Sequence, residues 1–156
     1  SPLLPRTRQV LVETAVAGQA EGGHEGLVLW AGRELGVVTV MTTVIAPVTR
    51  SGPQGVFVSK EGVGEAGREA RALKLGILAQ VHSHPGPDGR HSDGDDDLVL
   101  MPFEGMLSIV VPHYGKKFTS FADCAVHQFQ KGRWVWCAAA SVDRQTSVVP
   151  DLVDLR

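Results

Sequence analysis

Apolar residues at Val10, Leu11, Ala15 and Val16 recur at close to helical spacing, and they predict a first helix over residues 6–20. The Gly-rich run AEGGHEG breaks it. Two β-rich runs follow, residues 27–31 and 35–45, expected to form a hairpin around a short turn at 32–34. Residues 46–56 hold two prolines and two glycines and read as a surface loop. Residues 59–73 predict a second helix, with Val63, Ala66, Ala70 and Leu73 on one stripe. A fully apolar strand at 75–83 runs into a Pro/Gly/Asp-rich loop at 85–91. A short third helix is expected from Ser92, then a buried strand at 107–111. Strands at 124–130 and 133–136 flank a Lys131–Gly132 turn. The pattern thus predicts one domain over residues 1–140 and a C-terminal tail, 141–156, with little periodicity. Helices interleaved with strands make the fold class α/β, an α+β sandwich.

Composition narrows the partners. A chain of 156 residues can bury one core without disulfide help, and 43% hydrophobic against 21% charged residues excludes a disordered chain. With a net charge of -2 and no Lys/Arg block, neither a nucleic acid nor an anionic membrane is expected as partner. Apolar stretches such as 75–81 and 106–112 fall far short of the roughly 20 residues of a spanning helix. The opening SPLLPRTRQV lacks an apolar signal core, so a cytoplasmic location is the expectation. Cys124 and Cys137 form no CxxC pair and read as two buried free thiols.

The passage VHSHPGPDGRHSDGD, residues 81–95, carries the chemistry. His82 and His84 stand two apart at a strand end and so project from one face, where a single metal can bridge them. Ser92 and Asp95 fit S-x-x-D, the spacing of a capping box, and a helix start there would also aim Asp95 rigidly at that metal. Asp96 and Asp97 read as solvated first-turn acids, and either takes the ligand role if the loop register slips. Two imidazoles and one carboxylate leave a tetrahedral zinc with an open position for water, the arrangement of a catalytic site. Such a site needs a carboxylate to move the water's proton. Glu25, between Gly22–Gly23 and the apolar run that begins at Gly26, is the candidate, with Glu21 as competitor.

H-S-H-P, six residues, S-x-x-D, and an upstream glutamate entering a β-run that reaches a glycine (EGLVLWAG, residues 25–32) resemble the JAMM/MPN (JAB) zinc metallopeptidase signature. Five constrained positions at about 5% usage each make a chance match on the order of 10⁻⁴ or less over the chain. The order of elements over residues 6–136 also resembles that family. The resemblance implies an MPN/cytidine-deaminase-like fold, a central mixed β-sheet flanked by helices. It also implies Zn²⁺ as cofactor, His82, His84 and Asp95 as ligands, Glu25 as general acid/base, and Ser92 as hydrogen-bond donor to the oxyanion. Ser83 and Pro85 would be scaffolding.

The loops at 46–57 and 98–106 are short where eukaryotic deubiquitinases of the family carry insertions, so the chain resembles the compact prokaryotic branch. The expected activity is an isopeptidase or peptidase acting on a ubiquitin-like protein or its conjugate, with activating and conjugating enzymes of the same pathway as further partners. Two other readings are a peptidase acting on a sulfur-carrier protein or a cell-wall or phage peptide, and a non-catalytic MPN- or RadC-like module. His24 and His91 read as exposed, His127 as a strand residue, and His113 and Tyr114 as a border of the substrate groove. Trp30, Trp134 and Trp136 read as core.

Overall fold

The computed structural model describes residues 3–52, 55–88, 102–138, 141 and 146–148. Helix α1 spans Leu3–Ala17 and buries Leu3, Thr7, Leu11 and Ala15, one residue per turn on a single stripe. It begins and ends about three residues earlier than its apolar spacing suggests, and Val16 is exposed. Gly18 marks the end, because a Cβ there would lie 2.2 Å from the ring of His24. A 3-10 turn at Gln19–Glu21 follows, closed by Gly22 at φ 91.

Strands β1 (Leu27–Leu35) and β2 (Val38–Ile45) form the expected hairpin, but its turn lies at Gly36–Val37 and not at 32–34. Gly36 at φ 63 supplies the left-handed conformation a two-residue turn needs. Gly32, which reads as a turn residue, sits inside β1 at a register shift. A Cβ there would be 1.9 Å from the Val40 carbonyl oxygen, so the glycine allows a close strand approach. Residues 46–56 are not wholly loop either. β3 (Thr49–Gly52) and β4 (Gly55–Val58) pair as a small antiparallel ribbon.

Helix α2 (Lys60–Ala72) is capped by Ser59, whose side chain accepts from the Gly62 amide at 3.0 Å. Its buried stripe is Gly62, Ala66 and Ala70; Ala66 and Ala70 are as expected, Val63 is half-buried and Leu73 is exposed. β5 (Gly76–Ser83), β6 (Leu107–Val111), β7 (Ala125–Gln130) and β8 (Arg133–Cys137) match the expected strands closely. Short 3-10 turns at His113–Gly115 and Phe121–Asp123 link β6 to β7. In the expected tail, Thr146–Val148 forms β9, parallel to β2.

The large sheet runs β8-β7-β6-β5-β1-β2-β9, mixed because β5–β6 and β2–β9 are parallel and the other pairs antiparallel. One face packs Val28, Trp30, Ala79, Val81 and Ile109 against Leu3 and Leu11 of α1. On the other, Leu27 and Leu29 meet Val56 of the ribbon and Ala66 of α2. Trp30 is core as expected, its indole N–H donating to Thr7 Oγ1 at 2.8 Å, whereas Trp134 is half-buried and Trp136 is exposed. Cys124 and Cys137 form no disulfide and are half-buried. No helix among the described residues is long and apolar enough to cross a membrane.

Candidate metal centre

Strand pairing brings the expected residues together. Leu27 of β1 stands opposite His82 of β5, and the ladder continues past both. Ser83 N–H donates to the Gly26 carbonyl at 3.0 Å, and Gly26 N–H donates to Ser83 Oγ at 2.9 Å. These two bonds place Glu25, one residue before Gly26, beside His84, one residue after Ser83. The scaffolding role expected of Ser83 is visible in its hydroxyl. Glu25 is buried, 8% exposed, and His82 is fully buried.

The two imidazoles converge. His82 Nε2 and His84 Nε2 lie 3.2 Å apart, with the rings tilted 59° and their centroids 5.0 Å apart. His84 Nδ1 lies 2.9 Å from the Asp88 carbonyl oxygen. A carbonyl can only accept, so Nδ1 carries the hydrogen and a neutral His84 turns the lone pair of Nε2 toward His82. A backbone partner that orients the ring in this way is the usual support of a ligating histidine.

This donor pair fits zinc. Two nitrogens at about 2.0–2.1 Å from a tetrahedral ion stand about 3.3 Å apart, close to the spacing present. The third expected ligand, Asp95, and the expected oxyanion donor, Ser92, lie outside the described residues, as do His91, Asp96, Asp97 and the helix expected from Ser92. Among the described residues no three His, Cys, Asp or Glu side chains gather into a metal-holding cluster. From the expected set the structure brings the His82 and His84 imidazoles together and sets the backbone of Glu25 next in the ladder to that of His84. Glu21, the alternative base, is exposed, and its carboxylate lies 2.6 Å from His24 Nε2. That pairing directs it to the surface.

Tyr114 borders the site. Its backbone N–H donates to the His84 carbonyl at 2.8 Å, and its hydroxyl donates to the Gly22 carbonyl at 3.2 Å. Burial first, and then the negative charge of nearby Glu25, holds its phenol above the usual value of 10.0. The residue reads from sequence only as a groove border, because its effect depends on the left-handed backbone of His113 and Tyr114, both at φ 55. His127 lies in β7, as expected, and is buried.

No protein-family model matches the chain. Over 150 residues it is 29% identical to a probable metalloprotease of Sinorhizobium fredii, covering 93% of this chain and 92% of that one. A Desulfitobacterium hafniense protein of known solution structure superposes with a TM-score of 0.60 at 16% identity, covering 94% and 93% of the two chains. A JAB1/MPN domain protein from Archaeoglobus fulgidus is similar at 22% identity and a TM-score of 0.40, covering 82% and 88%. The α/β fold is as expected, and the similarity to a probable metalloprotease agrees with the resemblance drawn from the sequence.

Proposed function

We infer that this chain is a zinc metallopeptidase of the JAMM/MPN type that releases a ubiquitin-like protein from its conjugate or trims its C-terminal tail. The convergence of His82 Nε2 and His84 Nε2 at 3.2 Å beside the buried Glu25 is the observation that carries this reading. His82, His84 and Asp95 would hold the metal. A zinc ion there supplies Lewis acidity and lowers the pKa of a water from 15.7 toward about 7. Glu25 takes the proton of the attacking water and returns it to the leaving amine. Ser92 donates a hydrogen bond to the oxygen of the carbonyl under attack, a contact worth about 2.7–4 kcal/mol in comparable sites.

The same burial argues for the substrate class. With His82 fully buried and Glu25 nearly so, only a slim, extended segment can carry its carbonyl to the site. A Gly-Gly-like terminus meets that requirement, and the folded body behind it supplies the remote contacts that position the scissile bond. The test is to incubate protein purified without chelator with ubiquitin-like fusions and locate the cut by mass. Cleavage after a small C-terminal residue is expected, with kcat/KM about 100-fold above that of the isolated tail peptide. Equal values for fusion and peptide would exclude recognition of the folded partner and favour a general peptidase.

A further inference from the structure

We propose that Tyr114 is a positioning residue that clamps the turn carrying Glu25 to the strand end carrying His84. This rests on the catalytic reading of those two residues. Its backbone and its side chain each make one bond across the site: the N–H to the His84 carbonyl at 2.8 Å, and the hydroxyl to the Gly22 carbonyl at 3.2 Å. Gly22 lies three residues before Glu25, and Gly26, one residue after it, is tied to Ser83. Glu25 is thus held from both sides, by Tyr114 and by Ser83.

Three further features show that the clamp is built into the backbone. Gly23 is buried at φ 100, and a Cβ on it would lie 2.8 Å from Cζ of Tyr114, so the ring rests directly on the turn. His113 and Tyr114 both adopt left-handed φ, a conformation that side-chain-bearing residues keep only when their surroundings impose it. What imposes it is visible. His113 N–H donates to the Gly86 carbonyl at 3.1 Å, and Gly115, at φ 77, packs so close to α1 that a Cβ on it would lie 3.0 Å from Leu11. Tyr114 also lines an open groove of about 240 Å³ that reaches Val16 and Gln19, so the ring has room to swing outward once its hydroxyl bond is lost.

Tyr114→Phe keeps the ring and removes only the hydroxyl bond; Tyr114→Ala removes the ring as well and leaves only the backbone bond to His84. In the metal-free protein, amide exchange at residues 23–26 should accelerate about 10-fold in Tyr114→Phe and more in Tyr114→Ala, with core amides unchanged. With zinc, kcat should fall about 10-fold and about 100-fold respectively, while KM and metal content stay within twofold. In a Glu25→Gln background, Tyr114→Phe should reduce the residual rate no further, because it acts through Glu25. Unchanged exchange at 23–26 in Tyr114→Phe would overturn the clamp. So would a loss of activity that follows lost metal, or one that persists in full in the Glu25→Gln background. Should Tyr114→Ala not fold, Tyr114→Phe alone decides, because it leaves the ring on Gly23 and removes only the bond to Gly22. If Glu25→Gln proves fully active, the catalytic reading fails, while the exchange measurement still decides the clamp.

Discussion

Strand β5 shows two unlike surfaces within eight residues. Ala79 and Val81 face Trp30, Ile109 and Val126 in an apolar core covered by α1, where the Trp30 indole N–H is bonded to Thr7. Gln80 and His82 point the other way and are buried just as completely. Gln80 Nε2 donates to Ser108 Oγ at 2.9 Å, and His127, opposite Ser108 in the next strand pair, continues the polar row. Gln80 Oε1 has no hydrogen-bond partner among the described residues. Burial is therefore equal for the two pairs of residues, while only the second pair carries the desolvation cost of buried polar groups. The dry face packs against α1; the polar row ends at His82, beside the second apolar cluster of Leu27, Leu29, Val56 and Ala66.

The largest effect expected on this contrast comes from Glu25→Gln, which should lower kcat by about 10²–10⁴-fold with melting temperature and zinc content unchanged. The His82→Ala/His84→Ala double variant should lose the metal as well. Elemental analysis and turnover measured together decide both, and zinc retained by the double variant would remove the metal assignment. On the dry face the opposite pattern is expected. Trp30→Ala should cost about 3–5 kcal/mol in denaturant unfolding, with activity per folded molecule preserved, because it empties core volume and strands the Thr7 hydroxyl.

Gln80→Met is a finer probe. It removes a half-satisfied amide from the polar face at similar volume, so unfolding free energy should change by less than about 1.5 kcal/mol. A loss as large as that of Trp30→Ala would mean the polar row stabilises the sheet as much as the apolar core does. The smallest effect is a pH response of the dry face. The carboxylate of Asp123 accepts from the hydroxyl and amide of Thr119 and from the amide of Ser120, and these bonds hold it below its ordinary value of 3.8. A depressed pKa in the fold contributes stability fully present above 3.8 and lost as pH falls through the lower, folded value. The turn it caps presents Phe121 edge-on to Trp30, with ring centroids 5.9 Å apart. Asp123→Asn should lower the melting temperature by no more than about 2–4 °C at pH 7 and abolish the acid-side change in Trp30 fluorescence, since the carboxylate is exposed and screened.

What the sequence reveals follows the same division. Strands 75–83 and 107–111 are legible because they are short, mostly apolar runs bounded by turn residues, and the His-x-His pair is legible because period two is a property of any strand. The hairpin turn is misplaced because Gly32 and Gly36 look alike in sequence, while one serves a close strand approach and the other a left-handed turn. The ribbon at 49–58 and strand β9 are hidden by prolines, glycines and short length. Each helix stripe is legible at two residues, Leu11 and Ala15 or Ala66 and Ala70, and misses Thr7 and Gly62, which are buried for reasons other than hydrophobicity: a bond to Trp30 and close approach to Val58. The glutamate and two histidines are legible as a motif, yet each bond that orients them has a backbone atom of Gly22, Gly26 or Asp88 at one end, so the pairing is not visible in sequence.

The hydrogen bond from His84 Nδ1 to the carbonyl of residue 88 has an evolutionary consequence. Every amino acid brings the same carbonyl, so the orientation of His84 is inherited with the path of the chain and not with the side chain at 88. Point mutations in a diverging lineage can rewrite that position without turning the ring. An insertion or deletion between 84 and 88 cannot be absorbed so easily, since it moves the acceptor itself. Lineages that keep the histidine pair should therefore vary in residue identity across this stretch while conserving its length.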